Sequence, residues 1–586
     1  MTYLKEFENW TTNPVFDQQT KNELLSITDQ KEIEDRFYKS LSFGTGGMRG
    51  VIGAGINRMN VYTVGKASQG LANFINKTVK NGSVVIAYDS RRMSPEFALR
   101  TALVMCANGI KAYLFTSLRP TPELSFAVRY LGATAGVCIT ASHNPPEYNG
   151  YKVYWSDGGQ IVPPYDTQII SEVNAISDFN DVKCITEEQA LSSGLLNYVD
   201  SQVDDAYVAE LKKLVLNPDV IKKTSKDIKI VYTPLNGAGN MPVRRVLKEL
   251  GFENVWVVPE QEAPDGNFPT LEYPNPEDPK AFTYALELAK KVDADVVLAT
   301  DPDADRLGVF AKDSVSGEYK MFTGNMSGLL IAEYQISQKK EKGLLPKNTF
   351  DGALITTVVS SDMAYAMAKE YGLTVIEVLT GFKYIGEQIK LFEQAKESNG
   401  GVIDGSKGAY EYLFGYEESY GCLVGTHARD KDAVVAVLAL AEATAHYKTL
   451  GMTLCDQMQS MYKKYGYYME TIHTAVYKGA DGAEKISAII NKLRNEPKDV
   501  IGGEKVIAVR DYKTGLRTIL ATGETTKLTL PNSNVLYYEF SDAWCCVRPS
   551  GTEPKIKFYF GVKEADELSA KEKLSKLRSG FLEITE

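Results

Sequence analysis

Short apolar runs alternate with longer amphipathic stretches along most of this chain. Val84-Val85-Ile86-Ala87-Tyr88 and Lys111 to Phe115 read as strands, and Pro95 to Asn108 between them reads as a helix. Pro122 to Leu131 then predicts a second helix, and Ala135-Gly136-Val137-Cys138-Ile139 a further strand. Such alternation implies right-handed crossovers around a mixed sheet. The plan restarts at Ile228-Lys229-Ile230-Val231-Tyr232, which runs through the Gly-rich turn Asn236-Gly237-Ala238-Gly239-Asn240 into a helix from Pro242 to Leu250. Val255 to Val258 and Asp295 to Ala299 complete that round as strands. A third round opens with Ala353 to Val358, a helix from Asp362 to Tyr371 and a strand from Thr374 to Val378.

Two stretches fall outside this rhythm. The first forty residues are polar and amphipathic, with short helices at Lys21 to Leu25 and Ile33 to Phe37. From about Tyr465 strands separated by turns take over: Val506 to Arg510, Val535 to Phe540 and Lys555 to Phe560, closed by a helix from Glu564 to about Leu582. The expected fold is three related mixed α/β domains followed by an α+β domain with an antiparallel sheet. The divisions fall at 1–205, 206–325, 326–465 and 466–586.

At 586 residues the chain is too long for one core, which agrees with several domains. It is 44% hydrophobic and 24% charged, as a soluble globular protein is. A net charge of −10 argues against nucleic acid or acidic lipid as the main partner. Seven cysteines without a CxxC pair favour reduced thiols over a disulfide framework. No secretory pattern opens the chain, and the longest apolar run, Ala433 to Ala441, is far below the ~18 residues of a membrane span. That run reads as part of a buried helix, and the expected location is cytoplasmic.

Three segments carry candidate chemistry. Thr140-Ala141-Ser142-His143-Asn144-Pro145 places a serine where an apolar strand opens into a turn, a common position for reactive groups. Asp301, Asp303 and Asp305 follow another apolar strand at alternate positions, and carboxylates so close repel unless a hard divalent cation holds them. A helix–loop–helix calcium site is excluded, because its glycine and glutamate positions hold Arg306 and Lys312. Arg548-Pro549-Ser550-Gly551-Thr552 combines a guanidinium, two hydroxyls and a glycine turn, the makings of an anion nest. No G-x-S-x-G elbow and no Walker-type loop is present, which counts against an acyl hydrolase and a nucleotide phosphoryl donor. Gly44-Thr45-Gly46-Gly47-Met48-Arg49 puts arginine where a dinucleotide fingerprint needs its last glycine.

Together these segments resemble the α-D-phosphohexomutase family, its phosphoglucomutase branch most closely, in order and approximate spacing over nearly the whole chain. The resemblance implies four domains around one cleft and a phosphosugar substrate. It casts Ser142 as a phosphoryl carrier with an oxygen on Mg²⁺, Asp301, Asp303 and Asp305 as the other metal ligands, and Arg306 beside the reacting phosphate. The loop of Arg548, Ser550, Gly551 and Thr552 is implied to hold the phosphate that is not reacting. Arg49 and Lys152 are candidates for charge neutralisation, and Lys431, in Arg429-Asp430-Lys431-Asp432, is the candidate general acid/base if neighbouring cations lower its proton affinity. His143 either donates a hydrogen bond to a transferring oxygen or fixes its loop. Thr380, Gly381 and Lys383, with Glu417 and Ser419, are candidates for the sugar. The second of these loops departs from the family's pattern in carrying Tyr416 in place of its first glycine.

The implied activity is interconversion of glucose 1-phosphate and glucose 6-phosphate through glucose 1,6-bisphosphate. Phosphopentomutase, phosphomannomutase and glucose-1,6-bisphosphate synthase activities stay open, as does a silent phosphosugar-binding protein. A monomer or homodimer is expected.

Overall fold

The computed structural model describes residues 2–44, 46–477, 480–550 and 555–585. Its first sheet has six strands in the order Gly47–Val51, Tyr148–Trp155, Ala135–Ile139, Ser83–Tyr88, Lys111–Phe115 and Leu196–Val199. The middle pairings are parallel, as crossover helices require, while Tyr148–Trp155 runs antiparallel to both of its neighbours. The second sheet orders Tyr319–Phe322, Leu307–Lys312, Val296–Thr300, Lys229–Thr233 and Asn254–Val257. The third orders Thr374–Val378, Gly352–Thr357, Glu411–Glu417 and Gly421–Leu423. In each, a strand buried along its whole length ends at a loop that faces the other domains: Ala135–Ile139, Val296–Thr300 and Gly352–Thr357.

The last sheet is antiparallel throughout, with seven strands from Tyr467–Val476 at one edge to Thr525–Lys527 at the other. The expected fold class holds. Four details differ. The expected strand at Val506 starts two residues later, at Ala508. Gly47–Val51 is an edge strand where the sequence pattern predicts none. The edge strand Tyr467–Val476 and the helix Ala480–Asn495 escape a reading by apolar runs. Both bury one side only: the helix turns Ile486, Ile490 and Leu493 inward, and the strand leaves alternate residues exposed.

The helix Ala433–Thr449 is buried almost all round, as its unbroken apolar run demands, and it sits in a core that joins residues of the first three domains. Among the described residues no helix is long and apolar enough to cross a membrane. The fourth domain has its own core, and a separate aromatic cluster (Val358, Val359 and Leu379 against Tyr512, Tyr537, Trp544 and Tyr559) docks it on the third.

Candidate active site

The strand Ala135–Ile139 delivers Ser142 into a turn where the serine takes φ +51, a left-handed backbone that costs a non-glycine residue of order 1–3 kcal/mol. The surroundings hold it there. Thr140 Oγ1 accepts the Ser142 N–H at 2.8 Å and donates to Asp89 Oδ2 at 2.6 Å. Arg91 donates to the Ser142 carbonyl at 2.6 Å. Ser142 Oγ then donates to Asp301 Oδ2 at 2.7 Å, from a residue 159 positions away in the next domain. His143 Nδ1 lies 3.2 Å from the same hydroxyl. Burial, reinforced by Arg306, Arg49, Lys557 and Lys555, pushes the His143 pKa well below the usual imidazole value, so the ring is neutral. Arg49 Nη1 donates to Asn144 Oδ1 at 3.0 Å, on the other side of the loop.

The acidic segment is the tip of a hairpin between Val296–Thr300 and Leu307–Lys312, with Ala304 at φ +49. Asp301 Oδ1 accepts the N–H groups of Asp305 and Arg306, both at 3.0 Å. Asp303 Oδ2 accepts from Thr121 Oγ1 at 2.8 Å and from Lys152 Nζ at 2.7 Å. Asp305 Oδ2 is 3.2 Å from Lys152 and 3.1 Å from Lys431. One oxygen from each of the three carboxylates lies within 4.8 Å of the others, and all three residues are buried. Asp303 Oδ1 and Asp305 Oδ1 are buried with no hydrogen-bond partner. A buried, unsatisfied carboxylate oxygen is costly, and a hard cation bound by oxygen satisfies it. The donor set therefore fits Mg²⁺. Burial and then the Asp305 and Asp303 charges raise the Asp301 pKa well above the usual carboxylate range. For Asp303 burial acts in the same direction, but Lys152 together with hydrogen bonds from Asp301 and Thr121 outweighs it and lowers the pKa.

Lys431 stands between Asp305 and Asp430, 3.1 and 3.2 Å from them, over the Phe382 ring. Burial alone lowers its pKa, yet Asp305 and Asp430 outweigh burial and raise it. The expectation that cations would lower its proton affinity is thus corrected: its close neighbours are carboxylates. The segment around it ties the domains together, since Asp430 accepts from Tyr154 at 2.7 Å and Asp432 from Tyr207 at 2.8 Å. The Ala433 N–H also reaches the Ala304 carbonyl at 3.1 Å.

Glu417, at the end of Glu411–Glu417, is buried, and its carboxylate shares the space over Gly421 with the Lys431 stem. Ser419 follows half-exposed. Tyr416 points away from them. Its ring packs against Gly328, and its hydroxyl donates to the Ser361 carbonyl at 3.4 Å, so the departure from the loop pattern lies in the core. Gly381, at φ +116, turns half-exposed Thr380 into the helix Phe382–Ser398, whose first turn carries Lys383 beside Tyr384. Burial and nearby Arg548 lower the Lys383 pKa, against the pull of Asp166 and Glu387. Gly551 and Thr552 lie outside the described residues; the Ser550 N–H donates to the Lys555 carbonyl at 2.8 Å.

Several groups here were not singled out from sequence. Asp89, Arg91 and Thr121 support the two loops, and Glu277 pairs with Arg306. Lys557 sits opposite Arg548 in register, on the same face of the sheet. The alternation Lys555-Ile556-Lys557 was the one legible signal among them.

Four family models match in order. They are the α/β/α domains I, II and III and the C-terminal domain of phosphoglucomutase/phosphomannomutase, at residues 40–179, 205–317, 323–465 and 488–572. The chain belongs to the phosphoglucomutase/phosphomannomutase family of phosphohexomutases. Among its relatives, a phosphoglucomutase of Staphylococcus epidermidis is 37% identical over 557 residues, covering 94% of this chain and 96% of that one. A phosphoglucomutase of Staphylococcus aureus is 36% identical over 539 residues, covering 92% of each. The same fold is seen in the open form of pp63/parafusin from Paramecium, with TM-score 0.66 and 18% identity over 94% of this chain and 95% of that one. A family protein from Burkholderia thailandensis shares it with TM-score 0.61 and 20% identity over 92% and 96% of the two chains.

Proposed function

We propose that this protein is a Mg²⁺-dependent α-D-phosphoglucomutase that interconverts glucose 1-phosphate and glucose 6-phosphate. The observation that carries the reading is the Ser142 hydroxyl, 2.7 Å from one of three clustered aspartates that retain unsatisfied oxygens. Ser142 carries the phosphoryl group. Its O–P bond breaks as the free sugar hydroxyl forms a new one, giving glucose 1,6-bisphosphate. That intermediate turns over in the cleft, and its other phosphate returns to Ser142. Asp301, Asp303 and Asp305 would hold Mg²⁺, which when bound neutralises charge on the transferring phosphoryl oxygens.

The remaining roles are those the family resemblance implies, and the positions of the described residues support them. Arg306, Lys152 and Arg49 add fixed positive charge around Ser142, and neutral His143 orients its hydroxyl. Lys431, the candidate general acid/base, holds a proton at Nζ, gives it to the departing Ser142 oxygen and regains one from the sugar hydroxyl as the new O–P bond forms. Glu417 and Ser419 read the sugar, while Thr380, Gly381, Lys383 and the Arg548–Thr552 loop hold its far end and the phosphate that is not reacting. With Tyr416 in the core, one of the two features that kept a pentose open loses its bearing on the sugar; the other, the long N-terminal segment, remains.

Turnover of glucose 1-phosphate is to be compared with that of ribose 1-phosphate, with Mg²⁺ and with or without glucose 1,6-bisphosphate. Glucose 1-phosphate is expected to be the better substrate, and Ser142→Ala is expected to lose both turnover and the single protein-bound phosphate seen by intact mass. Undiminished activity in Ser142→Ala would refute the mechanism; faster turnover of ribose 1-phosphate would refute the substrate.

A further inference from the structure

The loop that presents Ser142 has two turn hydrogen bonds of its own, from the Asn144 N–H to the Ala141 carbonyl at 3.2 Å and from the Tyr148 N–H to the Pro145 carbonyl at 3.1 Å, so most of its carbonyl capacity needs donors from elsewhere. One side chain supplies most of them. Arg91, 1% exposed, donates to the carbonyls of Ser142 at 2.6 Å, Pro145 at 2.8 Å and Tyr148 at 3.0 Å, and also to that of Asn144. Asp89 supports the same loop from beneath: it accepts the Arg91 N–H at 3.0 Å and the Thr140 hydroxyl that holds the Ser142 N–H. The second domain closes over this arrangement. Phe268, fully buried at φ +46, places its ring 5.2 Å from the Arg91 guanidinium carbon. Gly266 lies so close that a Cβ there would sit 2.5 Å from the Arg92 nitrogen and 2.8 Å from the Ser90 carbonyl oxygen. The metal-site hairpin belongs to that same second domain.

We propose that Arg91, capped by Phe268, is a positioning residue that sets the Ser142 loop in register with the aspartate cluster. The catalytic part of this inference rests on Ser142 being the phosphoryl carrier. A rigid planar fork reaches four carbonyls spread over residues 142 to 148; a lysine, with its donors on one nitrogen, does not. The guanidinium reaches Ser142 only at its backbone carbonyl and makes no hydrogen bond to the three aspartates, so it acts through the loop. As Ser142 gains and loses a phosphoryl group, the buried cation and its carbonyl bonds hold the backbone at one position through both states.

The test uses the full-length protein with Arg91→Lys, Arg91→Met and Phe268→Leu, following hydrogen exchange of the segment 140–148, melting temperature, kcat and KM. Both Arg91 variants are expected to raise exchange in that segment roughly tenfold or more, selectively over the strand 83–88, because its carbonyls lose their shared anchor. Their kcat is expected to fall on the order of 100-fold with KM changed less than about threefold, the signature of a misplaced reacting group. Phe268→Leu is expected to act in the same direction but more weakly, at nearly unchanged melting temperature. Wild-type exchange and kcat in Arg91→Lys would overturn the proposal, since charge alone then suffices. So would exchange raised evenly across the first domain in all three variants with kcat per folded molecule unchanged. If the wild-type protein turns over no phosphosugar, the functional reading fails, and the exchange data still decide whether Arg91 anchors the loop.

Discussion

Thr121 shows how much of this site depends on groups one step removed from the chemistry. Its hydroxyl donates to Asp303 Oδ2 at 2.8 Å, and its N–H reaches the Asp303 carbonyl at 2.9 Å, so it fixes both ends of that residue. Thr121→Val keeps the shape and removes the hydroxyl bond. The Mg²⁺ concentration for half-maximal activity is expected to rise roughly 10–100-fold, as it does when outer-sphere partners of metal ligands are lost. An unchanged Mg²⁺ titration would show that Asp303 needs no such support. Thr121 was not readable as a site residue, because threonine at a helix start is ordinary. The three aspartates were readable because they cluster locally in sequence, whereas Ser142 and Lys431 were readable through the family resemblance. Arg91 and Glu277 act across 51 and 29 positions, and no local pattern encodes such a meeting.

Strands and loops divide in the same way. Fully buried strands such as Ala135–Ile139 and Val296–Thr300 were legible as unbroken apolar runs, and both point at the site. The edge strands Gly47–Val51 and Tyr467–Val476 and the helix Ala480–Asn495 were not, since only one of their sides carries the signal. The Gly-rich turn at 236–240 was legible as a turn but not for its purpose. It underpins the acidic hairpin: the Ala238 N–H donates to the Pro302 carbonyl at 2.8 Å, and a Cβ on Gly237 would lie 2.4 Å from Pro302 Cα. Backbone has to move to admit that atom. Gly237→Ala is therefore expected to lower stability by about 1–3 kcal/mol in denaturant unfolding and to weaken Mg²⁺ dependence alongside it. A variant as stable and as Mg²⁺-responsive as the parent would mean the hairpin does not rest on this turn.

The first three domains share one continuous core, whereas the fourth is attached through a smaller aromatic cluster and a few polar contacts. Arg510 is central among these. It lies 3.1 Å from Glu377 of the third domain and 2.5 Å from Glu539 of the fourth, with its guanidinium over Tyr537. Glu377 belongs to the strand that feeds the Thr380–Lys383 loop, so this link joins the fourth domain to the substrate side of the third. Arg510→Met leaves Glu377 without this cation, while Glu539 keeps Arg517 at 2.7 Å. It is expected to cost about 1–2 kcal/mol, less than a fully buried pair because the site is partly open to water, and to speed proteolysis between the domains. Carboxyls around the same junction are perturbed: burial pushes Glu418 and Glu470 up to about 7 and Asp362 up to about 6, with like-charged neighbours adding to each. Their folded pKa values lie above their unfolded ones, so the native state binds more protons than the unfolded chain. Their contribution is full below the ordinary carboxylate range of about 4 and is lost as pH rises through 6 to 7. The fourth domain is thus expected to dock more firmly at pH 5.5 than at pH 8. Hydrogen exchange of the strand 543–549, corrected for the intrinsic pH dependence of the rate, measures this directly. Protection there that stays constant or grows toward pH 8 would show that these carboxyls do not govern the junction.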